Sequence, residues 1–155
     1  MTISFLLIAF CAGIAMAVQA AINTQLSNAM VGQPIVAALI SFATGAVVLF
    51  LVCLWKADLV EAINNLPKQP LWKFIGGPLG ALVVFTSIFL APKIGVTNML
   101  FFIIIGQLVT AMLIDHFGLI GMPVRTMDIW KILGLIVILI GLGLFFFGKQ
   151  FFSEG

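Results

Sequence analysis

Amide side chains within long apolar stretches are the residues of this chain best suited to bind a solute. Gln107 lies near the middle of such a stretch, with Thr110 about one helical turn beyond it. Gln19 and Asn23 are four residues apart, a spacing that puts both on one face of a helix. Because an amide both donates and accepts hydrogen bonds, the sequence predicts a site for a polar, neutral or zwitterionic solute from four residues: Gln19, Asn23, Asn98 and Gln107.

These amides and the nearby hydroxyls also have structural interpretations. Asn23 is equally suited to cap a turn that follows it, and Gln107 to join two helices by a hydrogen bond. Gln19 lies further from that turn and needs a partner from another helix. The hydroxyl groups in similar stretches are expected to bond to backbone carbonyls one turn back: Ser41, Thr44, Thr86 and Ser87.

Asp115 and His116 form an acid–base pair at the end of an apolar stretch. An imidazole ordinarily titrates at about pH 6.5, so the pair is a candidate for proton coupling. The alternative is that both residues end a helix in solvent, where His116 favours the negative end of the helix dipole. The sequence has no nucleotide-binding glycine loop, metal-ligand cluster or nucleophile–base pair, so it predicts no enzyme, no cofactor and no metal site.

The composition indicates a lipid environment. Of 155 residues, 63% are hydrophobic and 8% are charged, against about 45–50% and about 25% in soluble domains. Roughly 20 apolar residues cross a bilayer core of about 30 Å, and charge-free stretches of this length recur along the chain. They predict an all-α integral membrane protein, a single domain over 1–155, with five spans at roughly 3–22, 35–55, 73–92, 97–115 and 129–148.

Two connections between these spans have distinct compositions. The polar residues over 23–28, followed by Gly32 and Pro34, are expected to mark the turn between the first two spans. The loop over 56–72 is basic and rich in helix breakers, and it is expected to hold a short interfacial helix at 57–65.

The basic residues favour one orientation in the membrane. Five lie on the face of the first basic loop and two on the opposite face: Lys56, Lys68, Lys73, Arg125 and Lys131 against Lys93 and Lys149. Because cytoplasmic loops carry an excess of Lys and Arg, the N-terminus is expected to be cytoplasmic and the C-terminus outside. The modest excess leaves insertion in both orientations open.

Glycines are spaced along one face of several spans. Gly45 follows Ser41 by four residues, and Gly76 and Gly80 repeat that spacing in the third span. Gly134 and Gly141 lie seven residues apart in the fifth. Small residues let helix backbones approach closely in lipid, so these five glycines are predicted to pack helices together. The alternative is that membrane helices are rich in glycine in any case.

Several strings along the chain resemble the YdcZ-type family of the drug/metabolite transporter superfamily. They are Gln19–Asn23, Ser41–Gly45, Gly76–Ala81, Leu90–Gly95, Gly106–Leu108 and Asp115–Leu119. The resemblance implies a multi-pass protein of the bacterial inner membrane, with five spans that form half of a ten-helix transporter.

The resemblance implies that ten-helix members of the superfamily consist of two five-helix halves of opposite topology. Transporters built from such inverted repeats work by alternating access. A five-span chain therefore needs a partner, but two copies inserted the same way cannot form an inverted pair. A homodimer with dual insertion, an oppositely oriented paralogue and a parallel dimer all remain open.

Two functions follow from these observations. The first is a transporter subunit that moves a small metabolite or drug-like solute as a dimer. The second is a non-transporting accessory or assembly subunit that docks on another helix bundle. The bilayer is a partner in both, and neither involves a nucleic acid. The four-helix multidrug members of the resembled superfamily use a carboxylate in their first helix to exchange protons for cations. The first span of this chain has no Asp or Glu, so proton-coupled cation export by that route is disfavoured.

Overall fold

The computed structural model describes residues 2–152, with the side chains of 3–148. Among these residues the secondary structure consists of helices and turns. The α-helices are α1 (Thr2–Ala29), α2 (Pro34–Lys56), α3 (Leu59–Asn65), α4 (Gly76–Ile94), α5 (Val96–Phe117) and α6 (Ile129–Phe152). Short 3-10 turns occur at Leu66–Lys68, Leu71–Ile75 and Leu119–Gly121.

Among the described residues, five helical segments are long and apolar enough to cross a membrane, which confirms the all-α membrane fold. They are Ile3–Ala29, Pro34–Lys56, Leu71–Ile94, Val96–Phe117 and Ile129–Gly148. The described residues divide into two compact units, one up to Met99 and one from Leu100 onward. The single membrane domain stays a prediction.

Helix α1 is longer than the sequence predicted. It continues to Ala29, so the expectation that the chain turns from Asn23 onward is wrong. The helix continues through these polar residues: Asn23, Thr24 and Ser27 are buried against the bundle, and the Thr24 Oγ1 donates to the Ala20 carbonyl at 2.8 Å. At about 1.5 Å per residue, 28 residues extend roughly 42 Å, which exceeds a typical hydrocarbon core.

The turn itself is confined to residues 30–33. The Gly32 N–H donates to the Ser27 carbonyl at 2.9 Å, which closes the end of α1. Val31 and Gly32 both adopt positive φ, +56° and +71°. A β-branched residue is strained in this left-handed conformation, whereas glycine adopts it freely.

Val31→Gly is therefore expected to stabilise the protein, by about 1 kcal/mol. Val31 is 88% exposed, so its side chain contributes little packing that could be lost. Thermal unfolding of the purified protein in detergent measures the effect. The matched control is Val47→Gly, in the interior of α2, where the same change is expected to destabilise by about 1 kcal/mol. A decrease in melting temperature for both variants would contradict the strain at Val31.

The first unit is a bundle in which α1, α2 and α4 contact one another in all three pairs. Its buried residues come from the end of α1, the start of α2, the end of α4 and the start of α5. They are Ala20, Asn23, Thr24, Ser27, Ala37, Ala38, Ser87, Ile88, Ala91 and Met99, and seven of these ten are alanine, serine or threonine. Small side chains allow the close backbone approach that holds helices together in lipid.

The same three helices are exposed toward their other ends. Residues 3–16 of α1, 42–52 of α2 and 71–79 before and within α4 are all exposed. The first unit is therefore tightly packed near the α1–α2 turn and open near the basic loop. Apolar exposure here is compatible with lipid, which is as apolar as the side chains.

The basic loop that joins α2 to α4 contains a short helix where the sequence predicted one at 57–65, and its interfacial position stays a prediction. This helix, α3, lies at Leu59–Asn65, and the Asp58 carboxylate caps it by accepting the Glu61 N–H at 3.0 Å. Lys56 lies 4.1 Å above the Trp55 ring and Lys73 lies 6.0 Å above the Trp72 ring. Such pairs of a cation and an amphipathic ring are typical of the headgroup level of a bilayer.

In the second unit, α5 and α6 run antiparallel. Near one end the Phe101 and Phe145 rings lie 4.7 Å apart, and the Phe102 and Phe146 rings 5.2 Å apart. At the other end the loop over 118–128 returns to α5, where the Arg125 N–H donates to the Asp115 carbonyl at 2.7 Å.

This loop depends on a glycine. Gly118 has φ +62°, and a Cβ added there would lie 2.7 Å from the Val124 Cγ2 and 3.1 Å from the Met122 carbonyl oxygen. A larger residue at position 118 would therefore meet both backbone strain and a steric clash.

Candidate solute-binding site

A cavity of about 240 Å³ lies between α1 and α2 of the first unit. It is lined by one residue of α1 and five of α2: Gln19, Ser41, Phe42, Gly45, Ala46 and Leu49. The structure thus brings together Gln19 and Gly45, two residues that the sequence singled out for different reasons. At about 30 Å³ per water molecule, the volume corresponds to roughly eight waters.

The position of this cavity follows from helix geometry. Gly45 is the middle residue of α2, with eleven residues on either side between Pro34 and Lys56. Within the first unit, no atom outside its own helix backbone lies within 4 Å of a Cβ placed on Gly45. Because Gly45 has no side chain, it leaves open space at the midpoint of α2, and the exposed Gln19 lines this space.

Gln19 has no hydrogen-bond partner within its unit, among the side chains that the structure describes. The side-chain hydrogen bond formed in α1 is that of Thr24. Placing this amide in lipid without a hydrogen-bond partner would cost several kcal/mol of free energy, roughly the cost of any buried polar group that is left unsatisfied. Gln19 is therefore suited to contact water, a solute or a second protein chain.

Asn23 lies one turn beyond Gln19 and is 4% exposed. Its position inside α1 excludes the turn-capping interpretation, because the helix continues to Ala29. The Asn23 side chain forms no hydrogen bond in the structure. Every fully buried polar atom among the described side chains does have a partner, so the polar atoms of Asn23 are not fully buried. The Asn23 amide therefore lies within the packed end of the bundle and retains a narrow opening.

The two other predicted amides lie on α5. Gln107 is near the midpoint of that helix and exposed, and the side-chain hydrogen bonds described in its unit do not include it. Asn98 belongs to the first unit and is half-buried. Whether these residues share a site with Gln19 and Asn23 stays a prediction.

Asp115 and His116 are both half-buried, and they have different surroundings. The His116 Nδ1 accepts the Met127 N–H at 3.1 Å, so this nitrogen holds the loop against the end of α5. Asp115 instead lines a second cavity, with Arg125 and Lys131. The geometry therefore gives His116 a structural contact, and the proton-coupling role of the pair stays a prediction.

The predicted packing glycines differ in their surroundings. A Cβ on Gly80 would lie 3.7 Å from the Phe42 ring, so this glycine faces α2. The others, within the unit that contains each, would have no neighbour within 4 Å: Gly45, Gly76, Gly134 and Gly141. In the first unit the small residues buried between helices are mainly alanine and serine. The remaining glycines are exposed within their own units, so their role in packing against other helices stays a prediction.

The expected local hydroxyl bonds are confirmed for two residues of four. Thr44 donates to the carbonyls of Ile40 at 3.1 Å and Ser41 at 2.9 Å, and Ser87 donates to Val83 at 2.8 Å. Ser41 and Thr86 have no such bond in the structure. Ser41 is instead a lining residue of the Gln19 cavity, which sequence reasoning missed although its spacing from Gly45 placed both on one face.

A larger groove of about 490 Å³ lies between α2 and α4. Its lining is apolar, with Phe42 and Phe85 as its aromatic residues and Pro78 at one side. Such a surface suits an acyl chain or an apolar helix and offers no group that could orient a polar solute. Among the described residues no cluster of His, Cys, Asp or Glu could hold a metal ion.

Comparison with known families extends the assignment to nearly the whole chain. The sequence model of a family described as "Putative inner membrane exporter, YdcZ" matches residues 4–144. No curated protein and no solved structure matches the chain.

Proposed function

Because the chain belongs to the YdcZ family of inner-membrane transporters, we propose that it is one half of an exporter that moves a small polar solute by alternating access. The observation that carries this proposal is the cavity beside Gly45, where the Gln19 amide is exposed at the middle of a span without a partner in its unit. The substrate class is a neutral or zwitterionic metabolite or drug-like molecule. The amide and hydroxyl of Gln19 and Ser41 both donate and accept hydrogen bonds, and neither carries a charge.

The shape of the first unit supports this mechanism. The bundle is closed near the α1–α2 turn and open near the basic loop, and the cavity lies where burial ends. If the basic face is cytoplasmic, the open end faces the side from which an exporter takes up its substrate. Transport then requires the open end to close and the closed end to open, as in transporters built from inverted halves.

A second subunit is part of the proposal. The cavity of about 240 Å³ is smaller than the usual 300–1,000 Å³ of small-molecule sites, and one side of it is exposed. Gln107, also exposed at the middle of its helix, supplies a polar surface for completing such a site. The second half is a copy inserted in the opposite orientation or an oppositely oriented relative.

Fusions of a reporter to the C-terminus test the orientation. Five basic residues against two predict that the C-terminus lies outside, so a periplasmic reporter is expected to be active and a cytoplasmic one inactive. Comparable activity of both reporters supports dual insertion. A C-terminus found only in the cytoplasm would contradict the orientation.

Cysteine labelling tests water access to the proposed site. The natural Cys11 and Cys53 are first replaced by alanine, and Gln19→Cys and Gln107→Cys are introduced separately. Both thiols are expected to react with a membrane-impermeant maleimide in vesicles of one orientation or the other. Ile14→Cys, exposed on α1 and about 140° around the helix from Gln19, is the control outside the cavity lining and should react at least about tenfold more slowly, since reaction requires the thiolate and water. Equal, low labelling at all three positions would contradict the site.

A thermal-shift panel of polar metabolites on the purified protein identifies the substrate class. A ligand that binds the folded protein at 100 times its Kd stabilises it by about 2.7 kcal/mol. Stabilisation by neutral or zwitterionic solutes that Gln19→Leu abolishes would support the proposal. Gln25→Leu, on the same helix and outside the cavity, is the control.

The second candidate function is an accessory subunit that docks on another bundle. The observation that favours it is the open face of α6, where Gly134 and Gly141 have no neighbour within 4 Å in their unit and no residue of the span is buried. It predicts that Gln107 is shielded by a partner and that solutes do not stabilise the protein.

A further inference from the structure

The second unit contains a cavity that the transport mechanism does not use. Its volume is about 220 Å³, and it lies at the loop end of the α5–α6 hairpin. The lining is Leu108, Ala111, Met112, Asp115, Arg125, Met127 and Lys131. We propose that this cavity binds the headgroup of a zwitterionic phospholipid, with the phosphate at Arg125 and Lys131 and the ammonium at Asp115.

The charges of the cavity match such a headgroup. Arg125 and Lys131 supply two cations and Asp115 one anion, and the hydrogen bonds described in this unit leave these three side chains free. The neighbouring titratable groups are occupied. The Asp128 carboxylate accepts the Lys131 N–H at 2.9 Å, and the His116 Nδ1 accepts the Met127 N–H at 3.1 Å. Two cations beside one carboxylate suit a phosphate joined to an ammonium, because the phosphate oxygens can accept hydrogen bonds from both cations while the ammonium donates to the carboxylate.

The apolar part of the cavity indicates a lipid and not a soluble phosphate. Leu108, Ala111, Met112 and Asp115 follow an i, i+3, i+4, i+7 spacing, so they lie along one face of α5. The rise from Leu108 to Asp115 is about 10 Å. The cavity is therefore charged at the loop end and apolar further along α5, as the junction of a headgroup and its acyl chains requires.

The level of the cavity in the membrane agrees with this ligand. Trp130, beside Lys131 at the start of α6, is 76% exposed, and tryptophan concentrates at the headgroup level of bilayers. Basic pockets beside membrane helices bind lipid headgroups at this level. At about 30 Å³ per water molecule, 220 Å³ equals roughly seven waters, which is the size of a headgroup and not of a whole lipid.

The side chains of this cavity can be changed without breaking the loop. The bond that closes the loop joins the backbone N–H of Arg125 to the backbone carbonyl of Asp115, at 2.7 Å. Asp115→Asn and Arg125→Gln therefore remove charge and keep that bond. Lys131→Gln likewise keeps the bond from its own N–H to Asp128.

The test measures lipids that remain bound to the full-length protein. The protein is reconstituted in vesicles with equal amounts of phosphatidylethanolamine and phosphatidylglycerol, extracted in mild detergent and analysed by native mass spectrometry. The unaltered protein is expected to retain more phosphatidylethanolamine than phosphatidylglycerol. Asp115→Asn is expected to remove this preference. The double variant Arg125→Gln/Lys131→Gln is expected to lower retention of both lipids about tenfold, the effect of about one charge-assisted hydrogen bond.

Two controls make every outcome decisive. Lys68→Gln/Lys73→Gln removes the same charge from the basic loop and should retain lipid normally. Ala111→Phe fills the cavity without changing a charge and should displace lipid even if the charge variants fold poorly. Retention that is unaltered by Ala111→Phe and by the charge variants would overturn the proposal. Preference for phosphatidylglycerol would overturn the role of Asp115, and thermal stabilisation by inorganic phosphate with no retained lipid would overturn the lipid assignment.

Discussion

Gly45→Leu is expected to close the Gln19 cavity and to lower maleimide labelling of Gln19→Cys at least about tenfold, because a thiol shielded from water does not form the reactive thiolate. The leucine side chain would project into a space where no atom of the first unit now lies within 4 Å of the Cβ position. Helix α2 should gain stability from the change, because leucine favours a helix over glycine by roughly 1 kcal/mol.

Gly13→Leu is the matched control for this experiment. Gly13 also lies in the interior of a span, on α1, and has no neighbour within 4 Å, but it does not line the cavity. Labelling of Gln19→Cys should be unchanged in this background. If both leucines reduced labelling equally, the effect would come from altered membrane insertion and the cavity would not be the route of access. Solute stabilisation found in the thermal-shift panel should be lost with Gly45→Leu and kept with Gly13→Leu.

Ala37→Leu is expected to destabilise the first unit strongly, by about 1–3 kcal/mol or more. Ala37 is 0% exposed and forms the core cluster with Ala38 and Ile88, against which Leu26 and Phe85 pack. A leucine there has to separate α1, α2 and α4 at the end of the bundle where they are closest. Thermal unfolding in detergent measures the loss.

Ala43→Leu is the comparison, because Ala43 lies on the same helix and is exposed. Its free energy of unfolding should differ from that of the unaltered protein by no more than about 0.5 kcal/mol, which is usual for surface substitutions. Similar losses for both variants would mean that the small-residue core is not what holds the bundle together.

The candidate site illustrates which parts of an interpretation can be made from sequence. Gln19 is predictable from sequence because an amide in an apolar span needs a polar partner, which is a ligand or another helix. Gly45 was identified only as a packing residue, because the sequence does not show which helix faces it. The structure places both on one cavity, where the glycine supplies space for the amide. For Ser41 the sequence predicts a local bond, and its spacing from Gly45 places both on one face of α2 without showing that this face lines a cavity.

The Asp115–His116 pair shows the opposite case. Adjacent residues suggested one shared acid–base function, but the loop over 118–128 returns to α5 and separates their surroundings. His116 contacts the Met127 backbone, and Asp115 shares a cavity with Arg125 and Lys131. The positive φ of Gly118 and Ile120 that the loop requires is a feature of the folded loop and is not evident from the sequence.

The sequence by itself determined the class of the protein, its five spans and its family, because each depends on local properties: apolar length, the positions of charges and the order of motifs along the chain. The tertiary structure decided where α1 ends, which small residues form the core and which polar groups lie in cavities. The physical reason is that lipid removes the hydrophobic contrast between a lipid-facing and a protein-facing position. An alanine at 37 and an alanine at 43 look alike in an apolar span, and only the neighbouring helices make one of them core.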